Sequence, residues 1–190
     1  MSVHDGLFVE RGFLDAVTLA ELFEAVRASA GAPATVYGRG DSGAVDERVR
    51  RTTRVRVPRE VEEKVGRLLL ARAPEVEERF GLTLEELEEP QFLRYGPGDF
   101  FVAHQDGNTG LLRSAREERK VSAVIFLNSQ AEGQDPDTYG GGSLVFHPRG
   151  GERFRLAGEA GALILFRAET THEVEPVTRG ERFTIASWFK

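Results

Sequence analysis

A histidine and an aspartate two residues apart, His104 and Asp106, are the first residues in this chain that could bind a metal ion. His104 lies in the run FFVAHQ (100–105), whose β-forming residues predict a strand, and Asp106 follows it directly. Side chains at positions i and i+2 of a strand point to the same face, so the two groups are expected to project together. Such a pair could supply two metal ligands or form a simple hydrogen bond, and the pair alone does not decide between them.

A second histidine, His172, begins a later strand-like run, and Arg182 lies ten residues further on. The residues VTRG between the two runs indicate a tight turn, so 172–177 and 181–189 are predicted to form an antiparallel hairpin. In that hairpin Arg182, Thr184 and Trp188 share one face of the strand. Arg182 would lie four residues along its strand from the hairpin partner of His172, about 13 Å at about 3.3 Å per residue. A metal on His172 and the guanidinium of Arg182 could then bind the two ends of a short diacid between them.

Two histidines and one carboxylate occupy three positions around a metal and leave the others open, which is typical of non-haem Fe(II) oxygenases. The open positions can take a bidentate 2-oxo acid and dioxygen. The chain contains no cysteine, so thiolate zinc, iron–sulfur clusters and a disulfide framework are excluded.

Length and charge limit the remaining classes of protein. The chain has 190 residues, and its 25 basic and 31 acidic residues give a net charge of −6, which argues against a nucleic-acid partner. It has no signal-peptide pattern and no run of 18 apolar residues, so we expect a cytoplasmic protein that does not enter a membrane.

The first half of the sequence indicates helices. Apolar residues with a 3.6-residue period follow a capping-box spacing at Thr18 and Glu21, which predicts a helix over about 18–29. A second helix is predicted from Pro58 to about Ala73, and a short one over 74–80 that ends near Gly81.

The second half indicates strands. Short runs of β-forming residues separated by glycine-rich turns predict a jelly roll with helices packed on one outer face. We expect one domain over 1–190, in which 1–90 form a helical support and 91–190 form the jelly-roll core. The predicted strands are 91–95, 100–105, 121–128, 142–146, 152–157, 162–166, 172–177 and 181–189.

Four runs in this half, RYGPGDFFVAHQD, KVSAVIFLN, YGGGSLVF and HEVEPVTRGERFTIASWF, resemble the Fe(II)/2-oxoglutarate dioxygenases of the prolyl 4-hydroxylase-like type. The shared pattern is a tyrosine before H-x-D, a GG-x-L strand, and a distal histidine with a basic residue about ten further on. The resemblance covers about 91–189 and implies a mainly β, cupin-like double-stranded β-helix.

The resemblance also implies roles for single residues. His104, Asp106 and His172 would bind Fe(II), and Arg182 would pair with the distal carboxylate of 2-oxoglutarate, for which a planar guanidinium is suited.

Three further residues match positions around that pocket. Tyr95 and Thr184 would add hydrogen bonds to the same carboxylate, and Trp188 matches an aromatic residue near the metal and is a candidate wall of the substrate pocket. One position departs from the pattern: Phe126 stands where many relatives have a tyrosine, which removes a hydroxyl near the cosubstrate.

The activity implied is hydroxylation of an unactivated C–H bond with release of succinate and CO2, most simply at a prolyl residue of a protein or peptide. Fe(II), 2-oxoglutarate and O2 would be required, and ascorbate could serve as reductant. The alternatives are a hydroxylase of a free amino acid or another small metabolite, and a cupin-like metal protein that is not an oxygenase. The protein is expected to be a monomer or homodimer, with segments 38–54 and 107–119 covering the substrate.

Overall fold

The structure is a computed structural model that describes residues 6–35, 46–107, 119–133 and 135–190. Most of the two segments expected to cover the substrate, 38–54 and 107–119, lies outside the described residues. Residues 46–54 are described, and they include two short strands.

The described part of the chain forms three helices and fourteen strands. The helices are α1 (Ala16–Ala28), α2 (Arg59–Leu70) and α3 (Ala73–Phe80). The strands are β1 (Leu7–Glu10), β2 (Gly31–Pro33), β3 (Arg50–Arg51), β4 (Thr53–Val55), β5 (Gln91–Tyr95), β6 (Phe100–His104), β7 (Val121–Phe126), β8 (Gly140–Gly141), β9 (Leu144–His147), β10 (Phe154–Leu156), β11 (Leu163–Arg167), β12 (Thr171–Val174), β13 (Val177–Arg179) and β14 (Arg182–Phe189).

Two antiparallel sheets face each other. The larger sheet has the order β1-β11-β7-β14-β5-β4-β2, and the smaller one has the order β10-β9-β12-β6-β3. A short ladder of β13 and β8 stands apart from both. This arrangement is a double-stranded β-helix, as the resemblance implied.

The three helices cover the outer face of the larger sheet. Each of them buries two residues in one apolar cluster: Leu22 and Val26 from α1, Val65 and Leu69 from α2, and Val76 and Phe80 from α3. The sheet side of this cluster includes Ile125, Phe183, Ile185 and Phe189. The helices therefore support the central strands from behind, as the sequence predicted.

The central strands alternate between this cluster and the space between the two sheets, because successive side chains of a strand point to opposite faces. On β14, Phe183, Ile185 and Phe189 join the helices, whereas Ala186 packs against a second apolar cluster between the sheets. Arg182, Thr184 and Trp188 are an even number of positions from Ala186 and so lie on the same face of β14. The prediction that these residues share one face is thus confirmed.

All eight predicted strands of the second half are present, with ends shifted by at most two or three residues. The helix predicted over 18–29 begins earlier, at Ala16, because Asp15 is the residue that caps it. The Asp15 carboxylate accepts hydrogen bonds from the backbone N–H groups of Val17 and Thr18, both at 2.9 Å. Four strands that the sequence did not predict, β1 to β4, also lie within the first 90 residues.

The predicted hairpin of 172–177 with 181–189 is wrong. β12 pairs with β6 and β9 in the smaller sheet, and β14 pairs with β5 and β7 in the larger one. The turn residues between them instead form β13, which pairs with β8. His172 and Arg182 therefore approach each other from opposite sheets and not from adjacent strands.

None of the helices in the described residues is long and apolar enough to cross a membrane.

Two neighbouring leucines of α2 test how much the helix layer contributes to stability. Leu69 is 1% exposed within the apolar cluster, and Leu70 is 52% exposed. Leu69→Ala is expected to lower the free energy of unfolding by about 2–5 kcal/mol, because it leaves a cavity. Leu70→Ala should change it by less than about 0.5 kcal/mol. Urea denaturation of both variants measures the difference, and equal losses would contradict the packing described here.

Candidate metal centre and anion pocket

Three side chains that can bind a metal meet between the two sheets: His104, Asp106 and His172. Their ligand atoms lie within 4.8 Å of one another. His104 Nε2 is 3.5 Å from one carboxylate oxygen of Asp106, and His172 Nε2 is 3.5 Å from the other. The two histidines are partners in the β12–β6 register, so the pairing of two strands brings them together.

Asp106 lies beyond the end of β6, where the chain bends. Its backbone N–H and that of Gly107 both donate to the carbonyl of Ala168 at 3.0 Å, which fixes the bend. The hydroxyl of Ser122 donates to Asp106 Oδ2 at 2.7 Å. The carboxylate is therefore held in place without any metal.

Backbone carbonyls fix the orientation of both imidazole rings. His104 Nδ1 lies 2.8 Å from the Val102 carbonyl, and His172 Nδ1 lies 2.9 Å from the Thr170 carbonyl. A carbonyl only accepts hydrogen bonds, so each Nδ1 carries the proton and each Nε2 lone pair is free to bind a metal.

The donor set fits a divalent ion. Adjacent ligands about 2.1 Å from an octahedral ion lie about 3 Å apart, which is close to the 3.5 Å separations found here.

The charges of the cluster also suit a metal. Burial is the main cause that lowers the pKa of His172, to about 4, and the nearby His104 acts in the same direction. Burial alone would raise the pKa of Asp106, but His172 and His104 hold it well below its usual value. At neutral pH the cluster thus has a neutral His172 and an ionised carboxylate, which are the forms that bind metal.

Aromatic rings surround the histidines. Phe101 stacks on His104 with ring centroids 3.6 Å apart, and Phe166 meets His172 edge-on at 4.7 Å. These contacts restrict rotation of the two imidazoles.

Arg182 forms a second polar site in the same interior space. Its side chain is 1% exposed, and its Cζ lies 5.0 Å from the ring centres of both Tyr95 and Phe126. One guanidinium nitrogen donates to the Thr184 hydroxyl at 3.1 Å. Its Nε has no hydrogen-bond partner, and no carboxylate among the described residues pairs with it.

A buried guanidinium without an opposite charge is costly, since several kcal/mol are needed to remove an ion from water. Aromatic faces and a hydroxyl offset only part of that cost. The arrangement is therefore suited to a ligand that brings a carboxylate, which a guanidinium binds through two parallel hydrogen bonds.

The two sites lie along the same pair of strands. In the β14–β7 register, Thr184 pairs with Phe126 beside Arg182, and Trp188 pairs with Ser122 beside Asp106. Phe126 and Ser122 lie four positions apart on β7, which is about 13 Å between their Cα atoms at about 3.3 Å per residue. The side chains of the metal cluster and the long side chain of Arg182 extend into this interval, so a small molecule could contact both sites.

Trp188, the predicted wall of the substrate pocket, lies beside the metal cluster but is only 7% exposed. The guanidinium of Arg119 stacks on its ring at 3.7 Å, and Arg119 is itself bound through two hydrogen bonds to Glu88. Trp188 is the register partner of Ser122, whose hydroxyl donates to Asp106, so it lies next to the metal cluster, and its role as a wall of the substrate pocket stays a prediction.

Ser122 and Phe101 contact the metal cluster but were not predicted from the sequence. Ser122 could have been found, because it is a polar residue on the same face as Phe126 in an otherwise apolar strand. Phe101 gives no such signal, because its contact with His104 depends on packing.

A family model described as the 2OG-Fe(II) oxygenase superfamily matches residues 90–190 of this chain. The matched region contains all three residues of the metal cluster and Arg182. It covers more than half of the chain.

Curated relatives carry the name PKHD-type hydroxylase. The one from Burkholderia thailandensis is 42% identical over 103 residues, which are 53% of this chain and 41% of that protein. One from Rhizorhabdus wittichii is 39% identical over 104 residues. The match thus spans less than half the length of these relatives.

Solved structures share the fold over nearly the whole chain. A prolyl-4-hydroxylase of Pseudomonas putida is 27% identical with a TM-score of 0.68, and the match covers 98% of this chain and 92% of that one. A prolyl hydroxylase from Trichoplax adhaerens, solved with a peptide fragment of hypoxia inducible factor, has a TM-score of 0.77 at 19% identity, over 97% of this chain and 83% of that one.

The chain belongs to the 2OG-Fe(II) oxygenase superfamily. This class of 2-oxoglutarate-dependent dioxygenases uses Fe(II), 2-oxoglutarate and dioxygen. Within it, the chain is similar in overall fold and sequence pattern to prolyl hydroxylases.

Two buried arginines of this region should respond in opposite ways to replacement by methionine. Arg182 has no carboxylate partner among the described residues, and Arg119 is paired with Glu88. Without 2-oxoglutarate, Arg182→Met is expected to leave the free energy of unfolding unchanged or to raise it by about 1 kcal/mol, because an unpaired buried charge is removed. Arg119→Met should lower it by about 1–3 kcal/mol, because Glu88 loses two hydrogen bonds and keeps the Lys190 ammonium at 3.6 Å. Urea denaturation measures both changes, and a large loss for Arg182→Met would show that its charge is neutralised within the protein.

Proposed function

We propose that this protein is an Fe(II)- and 2-oxoglutarate-dependent hydroxylase that acts on a prolyl residue of a protein or peptide. The observation that carries the proposal is the pair of sites in one interior space. A preformed cluster of His104, Asp106 and His172 lies four positions along β7 from a buried guanidinium that pairs with no carboxylate among the described residues.

The three residues of the cluster would hold Fe(II). The Nε2 atoms of His104 and His172 and the carboxylate of Asp106 are its ligands in this proposal. Ser122 already donates to the carboxylate, and this hydrogen bond fixes the direction from which Asp106 approaches the metal.

Arg182 would bind the distal carboxylate of 2-oxoglutarate. Thr184 accepts a hydrogen bond from Arg182 and so orients the guanidinium. Tyr95 is the register partner of Arg182 and lies with its ring beside the guanidinium, where its hydroxyl could add a hydrogen bond to the same carboxylate.

When bound, Fe(II) with dioxygen would supply oxidation of the C–H bond, coupled to conversion of 2-oxoglutarate to succinate and CO2. The residues of this chain bind and orient the reactants. Phe126, Phe146 and Phe166 contribute apolar walls between the sheets, and these walls exclude water from the interior space.

The prolyl substrate is supported by the comparisons. The Pseudomonas putida prolyl-4-hydroxylase matches this chain over nearly its whole length at 27% identity. The Trichoplax adhaerens prolyl hydroxylase was solved with a peptide, which supports a protein or peptide substrate.

The first test needs no substrate. Under anaerobic conditions, Fe(II) followed by 2-oxoglutarate should give the weak visible charge-transfer band of a chelated 2-oxo acid. His172→Ala should lose Fe(II) binding, because one of three ligands is removed. Arg182→Met should keep Fe(II) and bind 2-oxoglutarate about 10- to 100-fold more weakly, as expected for lost hydrogen bonds to a charged group.

His147→Ala is the matched control for the ligand variant. His147 pairs with Glu173 at 3.3 Å and lies outside the metal cluster, so its removal should leave the band unchanged. A wild-type protein that binds Fe(II) but gives no band would support the alternative of a cupin-like metal protein. Unchanged 2-oxoglutarate affinity in Arg182→Met would refute the role of Arg182.

The substrate is tested by mass spectrometry. Proline-containing peptides are expected to gain one oxygen atom at proline, with matching formation of succinate. The same peptides with alanine in place of proline should stay unmodified. Succinate formation stimulated by free amino acids and not by any peptide would contradict the prolyl assignment and favour a small-molecule hydroxylase.

A further inference from the structure

Tyr139 is a fully buried tyrosine that lies just before β8. Its backbone is fixed on both sides: its N–H donates to the Ser129 carbonyl at 3.1 Å, and its own carbonyl accepts from the Ala131 N–H at 2.9 Å. The backbone thus holds the residue in place independently of its hydroxyl.

Two glycines make room for the phenol ring next to the anion pocket. A Cβ atom added at Gly158 would lie 2.0 Å from the Tyr139 hydroxyl oxygen and 2.6 Å from Cδ1 of Phe126. A Cβ atom added at Gly142 would lie 3.2 Å from both Cε2 of Tyr139 and Cδ of Arg182. The phenol therefore packs against Phe126 on one side and against the stem of Arg182 on the other.

Neither the Tyr139 hydroxyl nor Nε of Arg182 forms a hydrogen bond of normal geometry with a described residue. The polar groups close to the hydroxyl, the Arg182 guanidinium and the Gly158 N–H, are both donors, so they offer no acceptor for the hydroxyl proton. A buried hydroxyl proton without an acceptor costs roughly 1–3 kcal/mol, which indicates that a ligand supplies the acceptor.

The hydroxyl keeps its proton at neutral pH. Burial raises the pKa of Tyr139. The positive charge of Arg182 and the N–H groups of Arg182 and Gly158 near the hydroxyl oppose this shift only in part. The phenol is therefore a hydrogen-bond donor, as a carboxylate ligand requires.

We propose that the Tyr139 hydroxyl donates a hydrogen bond to the distal carboxylate of 2-oxoglutarate beside Arg182. This proposal rests on the proposed function, because it assigns a further residue to the cosubstrate pocket. Phe126, whose ring lines the same pocket, has no hydroxyl, and Tyr139 supplies one from a different segment. Tyr139 is a specificity-determining residue in this proposal, since it contacts only the end of the cosubstrate away from the metal.

The test compares two 2-oxo acids on wild type and on Tyr139→Phe, each loaded with Fe(II) under anaerobic conditions. Titration of the charge-transfer band and calorimetry give the dissociation constants. Tyr139→Phe is expected to weaken 2-oxoglutarate about 10-fold or more. It should leave 2-oxobutyrate, which lacks the distal carboxylate, and Fe(II) itself unchanged. A merely structural role of Tyr139 would weaken both acids alike.

A second variant moves the hydroxyl to the neighbouring ring. Phe126→Tyr in the Tyr139→Phe background places a phenol on the other side of Gly158, and we expect it to recover part of the lost 2-oxoglutarate affinity. The thermal unfolding temperature of each variant is measured alongside, so that a folding defect is recognised.

The outcomes separate this proposal from the proposed function. If wild type binds 2-oxoglutarate through Arg182 but Tyr139→Phe binds it equally well, the role of Tyr139 is refuted and the proposed function stands. If both 2-oxo acids weaken together, Tyr139 only supports the fold, which also refutes the proposal. If wild type gives no band at all, the proposed function itself fails.

Discussion

The positive charge of Arg182, buried between two sheets with no carboxylate of the described residues paired with it, is the constraint on which the interior of this protein depends. The protein surrounds the guanidinium with the faces of Tyr95 and Phe126 and with the Thr184 hydroxyl, which together stabilise it less well than water would. Folding therefore produces a pocket with an unpaired positive charge, which lowers the stability of the empty protein. A carboxylate ligand pairs with this charge, so the same arrangement raises the affinity for the ligand.

The metal cluster differs, because hydrogen bonds orient its side chains before any metal binds. Two backbone carbonyls hold the imidazoles, and Ser122 holds the carboxylate. The cluster therefore needs no ligand to take up its geometry, whereas the guanidinium of the anion pocket gains a charged partner only when a carboxylate binds.

The sequence was sufficient to predict the strands of the second half and the three cluster residues, because both follow from local patterns: runs of β-forming residues, the H-x-D spacing and a distal histidine. It was not sufficient for strand pairing. His172 and Arg182 lie on different sheets, since pairing depends on contacts between distant segments that no local turn signal reveals. Tyr139 was missed for the same reason. The start of α1 was misplaced because two polar residues near it, Asp15 and Thr18, can both act as caps.

Strand β14 contributes to the helix-backed core through Phe183, Ile185 and Phe189, and to the interior space through Arg182, Thr184 and Trp188. A one-residue insertion or deletion inside it would exchange the two sets of side chains between the faces. Such a change would place a charged residue against the helices and phenylalanines in the pocket at the same time. Evolution can therefore alter this strand only by substitution, and changes of chain length must fall in the connecting segments outside it.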